Sequence, residues 1–327
     1  MADSCPHFDY LLVIPRIQVQ NANSLSSPLT HGFPSMTAFL GLMWALERKV
    51  REAGLDVQFN ATTVVAHRHE EQVTTEGYVQ TLRLTRNPIN RDGSTAAIVE
   101  EGRIHLEISL VFGIQSESLN TSQNEEEDSS KLALQVRDIL SQMRIAGGSV
   151  IPSRAPLRKQ RPFIVSMVGE DGRDELFRKI KLSLLPGFVL VDRTDLLEQR
   201  HQEQLALDPD ASKLDTWLSL SRVNWTCTPG EPEQKAHWEN DRKGKGWIVP
   251  IPIGYGALGD VQDPGAVTHA RDAQTSFRFV ESLYSVGEWI SPHRLHSAKQ
   301  MLWYADSAPE EWRYRCRNDY RSTSPDF

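Results

Sequence analysis

The sequence predicts an α+β fold whose first half is close to the ferredoxin-like β-α-β-β-α-β plan, with an extra hairpin inserted. Two segments carry apolar residues at helical spacing, and the segments around them are β-branched or alternate between apolar and polar residues. Polar stretches rich in Asn, Gly and Pro separate them, as turns do. We therefore predict a core over residues 1–150 with an insertion at about 67–105, and an irregular α+β half over 151–327 packed on it as one compact unit.

Four strands and two helices account for the first half. The predicted strands are Tyr10–Gln20, Asp56–His69, Tyr78–Leu84 and Ile104–Ile114. The first helix opens at Pro34-Ser35 and ends near Gly54, with one apolar stripe of Phe39, Leu40, Met43, Trp44, Leu46 and Val50. The second runs from Lys131 to about Arg144. Residues 21–35 are predicted as an aperiodic loop, and Gln115–Ser130 as a mobile acidic loop.

The second half is less periodic. Phe163–Val168 and the end of LLPGFVLV are predicted as strands, whereas the predicted helices are Phe177–Leu185, Asp195–Leu207, Leu214–Val223 and Pro292–Tyr304. Thr226–Gly246 has the composition of a linker or loop. Trp247–Ile253 contains two prolines, so it can only be an edge or irregular strand. Phe277–Trp289 fits either a strand or a helix.

Charge and cysteine content bound the function. The 36 Lys and Arg against 43 Asp and Glu give a net charge of −7, which argues against a free-standing, non-specific DNA binder. A subunit that touches RNA along one stripe stays compatible with that charge. The three cysteines lie far apart, there is no signal peptide, and no apolar run is long enough to cross a membrane. We therefore expect a cytoplasmic protein without disulfides or a membrane anchor.

Two short motifs suggest a cofactor or a metal. Gly254–Gly259 spells G-x-G-x-x-G, which would suit a nicotinamide-dependent oxidoreductase only if a helix began inside the motif. The prolines before it disfavour that reading, and a loop needing positive φ or a loop whose amides approach a phosphate are the alternatives. His67 and His69 share a strand face but make only half a metal site. We expect no cofactor and no metal, and no motif indicates a catalytic nucleophile.

Polar loops that combine Arg with amide side chains and glycine indicate a different chemistry. Arg offers a planar fork to phosphate and a stacking face, Asn and Gln read base edges, and Gly lets the backbone approach closely. Such loops are PRIQVQNAN from Pro15, THGF from Thr30, RNPINRDGS from Arg86 and RIAGGS from Arg144. Each alone is typical of an ordinary turn, and their co-occurrence favours RNA binding.

The same segments resemble a known family. The strings IPRIQVQNANSLSSPLTHGFPS, TRNPINRDGSTAAIVEEGRIHLEISL, MRIAGGS, LLPGFVLV, GWIVPIPIGY and RFVESLYSVGEWISPHR are similar to the Csy-family subunit that holds the guide-RNA 5′ handle in type I-F CRISPR surveillance complexes. The resemblance runs from about residue 10 to about residue 305. It is interrupted in the acidic segment and near Thr226–Gly246.

This resemblance implies a repeat-associated RNA-binding (RAMP) fold, with an RRM-like core and an inserted thumb hairpin. The implied partners are the CRISPR RNA 5′ handle, the large subunit as a heterodimer, the adjacent backbone subunit, target DNA bound by the assembled complex through guide base pairing, and phage anti-CRISPR proteins. Guide cleavage belongs to a separate endoribonuclease subunit, so this one is implied to be catalytically silent. The alternative is a metal-independent endoribonuclease with His31, His67 or His69 as the general acid or base.

The resemblance also suggests which residues contact RNA. The implied handle contacts are Arg16, Gln18, Asn21, Asn23, His31, Phe33 and Ser35. The implied thumb residues, which would hold a splayed base between handle and spacer, are Arg86, Asn87, Asn90, Arg91 and Ser94. The implied phosphate cradle is Arg144, Gly147, Gly148 and Ser149, with His293 and Arg294 as further candidates.

Overall fold

In the computed structural model, residues 4–86, 89, 92–96, 98–152, 160–169, 172–229, 236–270 and 272–321 are described. The strands are β1 Tyr10–Asn23, β2 Leu25–Ser27, β3 Thr30–His31, β4 Gln58–Glu71, β5 Val73–Glu76, β6 Val79–Leu82, β7 Leu84–Arg86, β8 Ile98–Glu100, β9 Arg103–Gln115, β10 Arg144–Ile145, β11 Gly148–Ile151, β12 Phe163–Ser166, β13 Phe188–Asp192, β14 Trp225–Thr228, β15 His237–Asn240, β16 Trp247–Ala257, β17 Val280–Ile290, β18 Trp303–Ala308 and β19 Arg313–Asn318. The helices are α1 Met36–Glu52, α2 Glu117–Asn120, α3 Glu125–Ser141, α4 Arg173–Ser183, α5 Thr194–Leu205 and α6 Lys213–Ser221. The predicted α+β class is confirmed.

One antiparallel sheet of 11 strands runs through both halves of the chain. Its order is β10-β11-β1-β9-β4-β13-β17-β16-β19-β18, and β12 also pairs with β1. One edge of β1 is taken by β9, so the other edge is shared by β12, at Tyr10–Val13, and β11, at Gln18–Gln20. β18 returns to β4 through the Trp303 and Thr62 pair, so the strands from β4 to β18 form a closed series of pairings.

Helices α1 and α3 cover one face of β1, β9 and β4. Every second residue of β1 up to Ile14 joins the apolar stripes of both helices in one buried cluster, because side chains alternate between the faces of a strand. The alternate residues Leu11 and Val13 join a second cluster with α4 and the segment 295–302. Trp44 departs from the predicted inward stripe of α1, since it is 38% exposed and contacts Tyr314.

The prolines of β16 sit where the strand is paired on one side. β16 pairs with β17 along its length, but with β19 only at Gly254–Gly256, so Pro250 and Pro252 disturb one ladder alone. The suggested positive-φ loop at the glycine motif is wrong, because Gly254 and Gly256 are strand residues. A Cβ on Gly254 would overlap the Tyr314 carbonyl oxygen, so the close approach of β19 is what requires glycine there.

The insertion lies between β4 and β9. It consists of the hairpins β5–β6 and β7–β8, so the predicted strand Tyr78–Leu84 is divided between β6 and β7. The thumb candidates Asn87, Asn90 and Arg91 lie outside the described residues. Arg86 ends β7, opposite Ile98 of β8.

Four sequence predictions are wrong in their secondary structure. Much of the acidic segment is helical: α2 forms within it, and Glu125–Asp128 are the first turn of α3, where carboxylates interact favourably with the helix dipole. The predicted loop at 21–35 contains the β2–β3 hairpin, in which Leu25 pairs with His31 and Ser27 with Thr30. The predicted linker Thr226–Gly246 contains most of the β14–β15 hairpin, in which four residues of each strand pair. Pro292–Tyr304 forms two 3₁₀ turns and the start of β18 instead of a helix, and these turns bury Leu295, Ala298 and Met301 at the spacing that suggested one. None of the described helices combines the length and apolar composition that membrane crossing requires.

Candidate nucleic-acid interface

Two of the predicted RNA-binding segments lie side by side. In the β1–β11 ladder, Gln18 pairs with Ile151 and Gln20 with Ser149. The Asn23 amide donates to the Ala146 carbonyl at 2.8 Å, which attaches the end of β1 to the turn between β10 and β11. A Cβ on Gly148 would lie 2.7 Å from the Ala22 nitrogen, so glycine allows this contact. The fold therefore brings PRIQVQNAN and RIAGGS together at one edge of the sheet.

The exposed side chains of this region point away from α1 and α3. Gln18 and Arg68 both lie opposite Glu107 in their ladders, and Glu70 lies opposite His105, so β1, β9 and β4 present polar groups on one face. A concave surface of about 410 Å³ lies over it. We call this surface the open face, and its polar residues are Gln18, Gln20, Arg68, Glu70, His105 and Glu107.

The charges of the open face are mixed. Burial by itself would raise the pKa of the Glu107 carboxyl, but hydrogen bonds from Arg16 and Gln18 outweigh it and lower the pKa, so Glu107 is ionised at neutral pH. Arg68 lies 3.6 Å from Glu70, and both side chains are largely exposed. A surface with two carboxylates and one exposed guanidinium is better suited to hydrogen bonding with base edges than to binding a row of phosphates.

Arg16 is engaged within the protein. It occupies a bulge of β1 with a φ of 56°, and its amide donates to Ser109 Oγ at 3.0 Å. Its guanidinium donates to Glu107 Oε1 and to the Leu185 carbonyl, each at 3.0 Å. These contacts link the first half of the sheet to the turn before β13. We call them the Arg16 joint, formed by Arg16, His67, Glu107, Ser109, Leu185 and Pro186.

His67 completes the joint through both ring nitrogens. Nδ1 lies 2.7 Å from the Pro186 carbonyl and Nε2 lies 2.6 Å from Ser109 Oγ. Burial is the main cause that lowers the pKa of His67, so the ring is neutral at pH 7, Nδ1–H donates to Pro186 and Nε2 accepts from Ser109. A Cβ on Gly187 would lie 2.7 Å from His67 Nδ1, which shows how closely the turn approaches.

The HGFPS turn lies on the other side of the sheet, at the start of α1. His31 Nδ1 is 3.3 Å from Glu71 Oε1, and the Ser35 and Thr37 hydroxyls are 2.6 Å apart. Phe33 is half-buried and contacts the Trp289 ring at a centroid distance of 4.9 Å, edge to face. The turn is therefore attached to β4 at one end and to β17 at the other.

A cavity of about 260 Å³ lies beside this turn. Of its aromatic residues, only Phe33 was predicted from the sequence as an RNA contact; Phe188, Trp247 and Trp289 were missed, because they come from separate strands whose apolar pattern is typical of a core. We call it the aromatic cavity, and its principal lining residues are Phe33, His69, Glu71, Phe188, Trp247 and Trp289.

Other residues of the open face were also missed. The signal for His105 and Glu107 was their alternation with the buried Leu106 and Ile108, which marks one face of β9 as uncovered. The structure does not bring every candidate to this region. Ser94 is exposed in the insertion and its hydroxyl donates to Asp92.

The SPHR candidates belong to a different part of the sheet. His293 and Arg294 follow β17, which β4 and β13 separate from β9 in strand order. His293 Nδ1 contacts Ser291 Oγ at 2.8 Å, and Arg294 lies 3.7 Å from Glu288. Across the described residues, no three His, Cys, Asp or Glu side chains come together as a metal site would require.

The chain is similar to known proteins over almost its whole length. A family model described as CRISPR-associated protein (Cas_Csy2) matches residues 12–316, which places the chain among the CRISPR-associated proteins. Over 315 residues it is 42% identical to the CRISPR-associated protein Csy2 of Pseudomonas aeruginosa (strain UCBPP-PA14), covering 93% of this chain and 94% of that protein. The chain belongs to the Csy2 family, a subunit family of the type I-F Csy complex in CRISPR defence. The resemblance found in the sequence is confirmed.

Proposed function

We propose that this chain binds the 5′ handle of the CRISPR RNA as a non-catalytic subunit of the Csy complex. The observation that carries the proposal is the open face, a polar surface over β1, β9 and β4 that no other described element covers. Proteins recognise single-stranded RNA through its unstacked bases, and an uncovered sheet surface with polar side chains can contact such bases.

The order of the long strands supports an RRM-like core. The first, second and third long strands of the chain are β1, β4 and β9, and β11 with β12 follows α3 as the fourth. Their order in the sheet is fourth, first, third, second, with α1 and α3 on one face. That order matches the split β-α-β plan. On the face opposite α1 and α3, α4 and the segment 295–302 cover the half of the strands around Leu11 and Val13, and the open face is the other half, which is available to a ligand.

The chemistry divides into base contacts and phosphate contacts. The amides of Gln18 and Gln20 can donate to and accept from base edges, and Arg68 supplies a stacking plane or a phosphate contact. Phosphates would lie at the exposed β10–β11 turn, where Arg144 and Ser149 flank Gly147. Asn21 and Asn23 extend this edge. The thumb residues from Arg86 to Ser94 are proposed to hold a splayed base, as the family resemblance implies.

The catalytic alternative has less support. A general acid or base must be free to exchange a proton with the substrate, but both nitrogens of His67 are bonded within the Arg16 joint. His31 and His69 are exposed and are therefore included in the test below.

The partners follow from the complex. We propose the large subunit as the heterodimer partner that grips the handle together with this chain, the first backbone subunit as its neighbour, and target DNA as the ligand of the assembled complex. Phage anti-CRISPR proteins are proposed as competitors for these surfaces. The cytoplasm is the proposed location, where buried free thiols such as Cys5 and Cys316 stay reduced.

The test is binding of a labelled 5′-handle RNA by the chain co-expressed with the large subunit, against a scrambled handle of the same length. Replacing Arg68 by Ala is expected to weaken handle binding roughly 10-fold, as for the loss of one Arg contact. Arg178→Ala is the matched control, since Arg178 is also exposed and paired with a nearby Glu, Glu175, but lies on α4.

Preference for the handle that Arg68→Ala weakens, with the RNA left intact, supports the proposal. Equal binding of both RNAs would contradict handle recognition. Cleavage of repeat RNA that is lost in His31→Ala or His69→Ala would favour the endoribonuclease.

A further inference from the structure

The aromatic cavity has the composition of a binding pocket. Phe188 and Trp247 contact each other edge to face, with 5.5 Å between the ring centroids. They nevertheless remain 44% and 50% exposed, so each ring leaves a large apolar surface uncovered. Trp289 is the cross-strand partner of Trp247, with 6.4 Å between the ring centroids, and is almost fully buried. Large aromatic rings left open around a concave site indicate a ligand that stacks on them.

Trp289 gives a second, independent indication. Three of the eight tryptophans are buried, namely Trp217, Trp289 and Trp303. Trp217 Nε1–H donates to the Ser285 carbonyl at 2.9 Å, and Trp303 Nε1–H donates to the Leu190 carbonyl at 2.8 Å. The indole N–H of Trp289 makes no hydrogen bond with any described residue. Trp289 Nε1 is not one of the enclosed polar atoms that lack a partner, so its N–H is open to solvent, and an acceptor on a ligand can take the place of water there.

The open N–H of Trp289 favours a ligand that brings a hydrogen-bond acceptor as well as an affinity for aromatic rings. A Lys or Arg side chain from a partner could stack by cation–π attraction, but both side chains carry donors only and would leave the indole N–H unpaired. An aliphatic side chain would also leave it unpaired. A nucleobase provides a planar face for stacking and ring or carbonyl acceptors at its edge.

The polar rim also fits a base. The His69 side chain makes no hydrogen bond with another described residue, and Glu71 carries a carboxylate beside His31. These groups offer a donor or an acceptor to the base edge. A volume of about 260 Å³ is close to the lower end of the range for ligand sites, about 300–1,000 Å³, and suits one base better than a dinucleotide.

The position of the cavity connects it to the open face. After the bulge between Ala66 and Arg68, the side chains of β4 alternate, so Arg68 and Glu70 face the open face while His69 and Glu71 face the aromatic cavity. The end of one strand therefore borders both surfaces, beside the base of the insertion. An RNA strand that crosses this end can reach both.

We propose that the aromatic cavity takes one unstacked base of the RNA whose neighbouring nucleotides lie on the open face, with Trp247 and Phe188 as the stacking platform. This inference rests on the proposed RNA-binding function and adds a base-specific subsite to it.

The experiment uses the full chain co-purified with the large subunit and a guide RNA in which uridines are replaced by 5-iodouridine. Irradiation followed by mass spectrometry identifies the crosslinked residues, and titration with a labelled handle RNA gives affinities. Trp247→Ala is expected to weaken binding about 10–100-fold, as for the loss of a stacking platform, while Trp247→Phe retains most of the affinity. Trp238→Ala is the matched control, because Trp238 is 59% exposed but lies on β15.

Crosslinks at Trp247 or Phe188, together with rescue by Trp247→Phe, would support the subsite. Crosslinks confined to the open face, with equal affinities of Trp247→Ala and Trp238→Ala, would overturn the subsite and leave RNA binding by the chain in place. Loss of the large subunit from Trp247→Ala with RNA affinity unchanged would overturn it as well, since the cavity would then hold a protein side chain. Absence of any crosslink to this chain would contradict the proposed function itself.

Discussion

The Arg16 joint and the aromatic cavity are neighbours, because His67 of the joint also lines the cavity, but they differ in what their side chains bond to. In the joint, Arg16, Ser109 and His67 donate to or accept from one another and from backbone carbonyls of the turn before β13. In the cavity, the rings of Phe188 and Trp247 are half-exposed and the N–H of Trp289 has no acceptor among the described residues. The comparison separates residues that assemble the two halves of the sheet from residues that remain available to a ligand.

The largest effect distinguishes a core tryptophan from a cavity tryptophan. Trp303→Ala should lower the free energy of unfolding by about 3–5 kcal/mol, because it removes a fully buried ring and a hydrogen bond to Leu190. Trp247→Ala should lower it by about 1 kcal/mol, since half of the ring is already in solvent. Urea denaturation of the purified chain measures both. A loss of similar size in the two variants would show that Trp247 is a core residue and would weaken the comparison.

The second prediction breaks the joint without changing a polar group. Gly187→Ala should cost about 2–3 kcal/mol of unfolding free energy, because the new methyl group would collide with His67 and with the Leu184 carbonyl. Gly41→Ala is the control. Gly41 is exposed on α1 with open space around it, so alanine there should stabilise the protein by about 0.5–1 kcal/mol. Unchanged stability of Gly187→Ala would mean that the turn can move away from β4 freely.

The third prediction compares two arginines. Arg16→Ala should lower the unfolding free energy by about 1–3 kcal/mol, because it leaves the Leu185 carbonyl and part of Glu107 without a donor. Arg68→Ala should change it by less than about 0.5 kcal/mol, since the Arg68 and Glu70 pair is exposed. The affinity for handle RNA should show the opposite order: Arg68→Ala should weaken binding more than Arg16→Ala, when both are measured at a temperature where both variants are folded. The same order of the two variants in the stability and binding assays would contradict this division of roles.

The smallest effect is the pH dependence that His67 contributes. The unfolded chain binds a proton at His67 near the ordinary histidine pKa, about 6.5, whereas burial lowers the pKa of His67 in the folded protein. Below about pH 6.5 the unfolded state therefore binds more protons, and stability falls as the pH falls toward the folded-state pKa. His67→Gln should show a shallower loss between pH 7 and pH 5 than the wild type. Parallel profiles in denaturant titrations would count against this assignment.

The sequence was sufficient for elements that local pattern determines. Helix α1 begins one residue after the predicted Ser35, and β9 differs from its prediction by one residue at each end, because apolar periodicity and turn residues mark both. The prolines of β16 correctly predicted a strand with limited pairing. The acidic start of α3 was missed because its composition alone suggested disorder, whereas its position at a helix N-terminus stabilises it.

Long-range contacts could not be predicted in this way. Arg16 and Leu185 are 169 residues apart, and no spacing rule links them. The aromatic cavity combines a turn before α1 with residues of β4, β13, β16 and β17, so its rings are neighbours only after the sheet has formed. The candidates from PRIQVQNAN and RIAGGS were placed at one edge by the β1–β11 ladder, but the sequence did not indicate that Arg16 would be bonded within the protein.

The most direct test of the account is hydroxyl-radical footprinting of the chain bound to the large subunit, with and without handle RNA. Tryptophan, phenylalanine and histidine side chains react readily, so the method reports on both surfaces at once. RNA should protect His105 on the open face and Trp247 and His69 in the aromatic cavity, while Trp225 and Trp238 on the β14–β15 hairpin keep their reactivity. Equal labelling of His105 and Trp247 with and without RNA would contradict the claim that these surfaces hold the RNA.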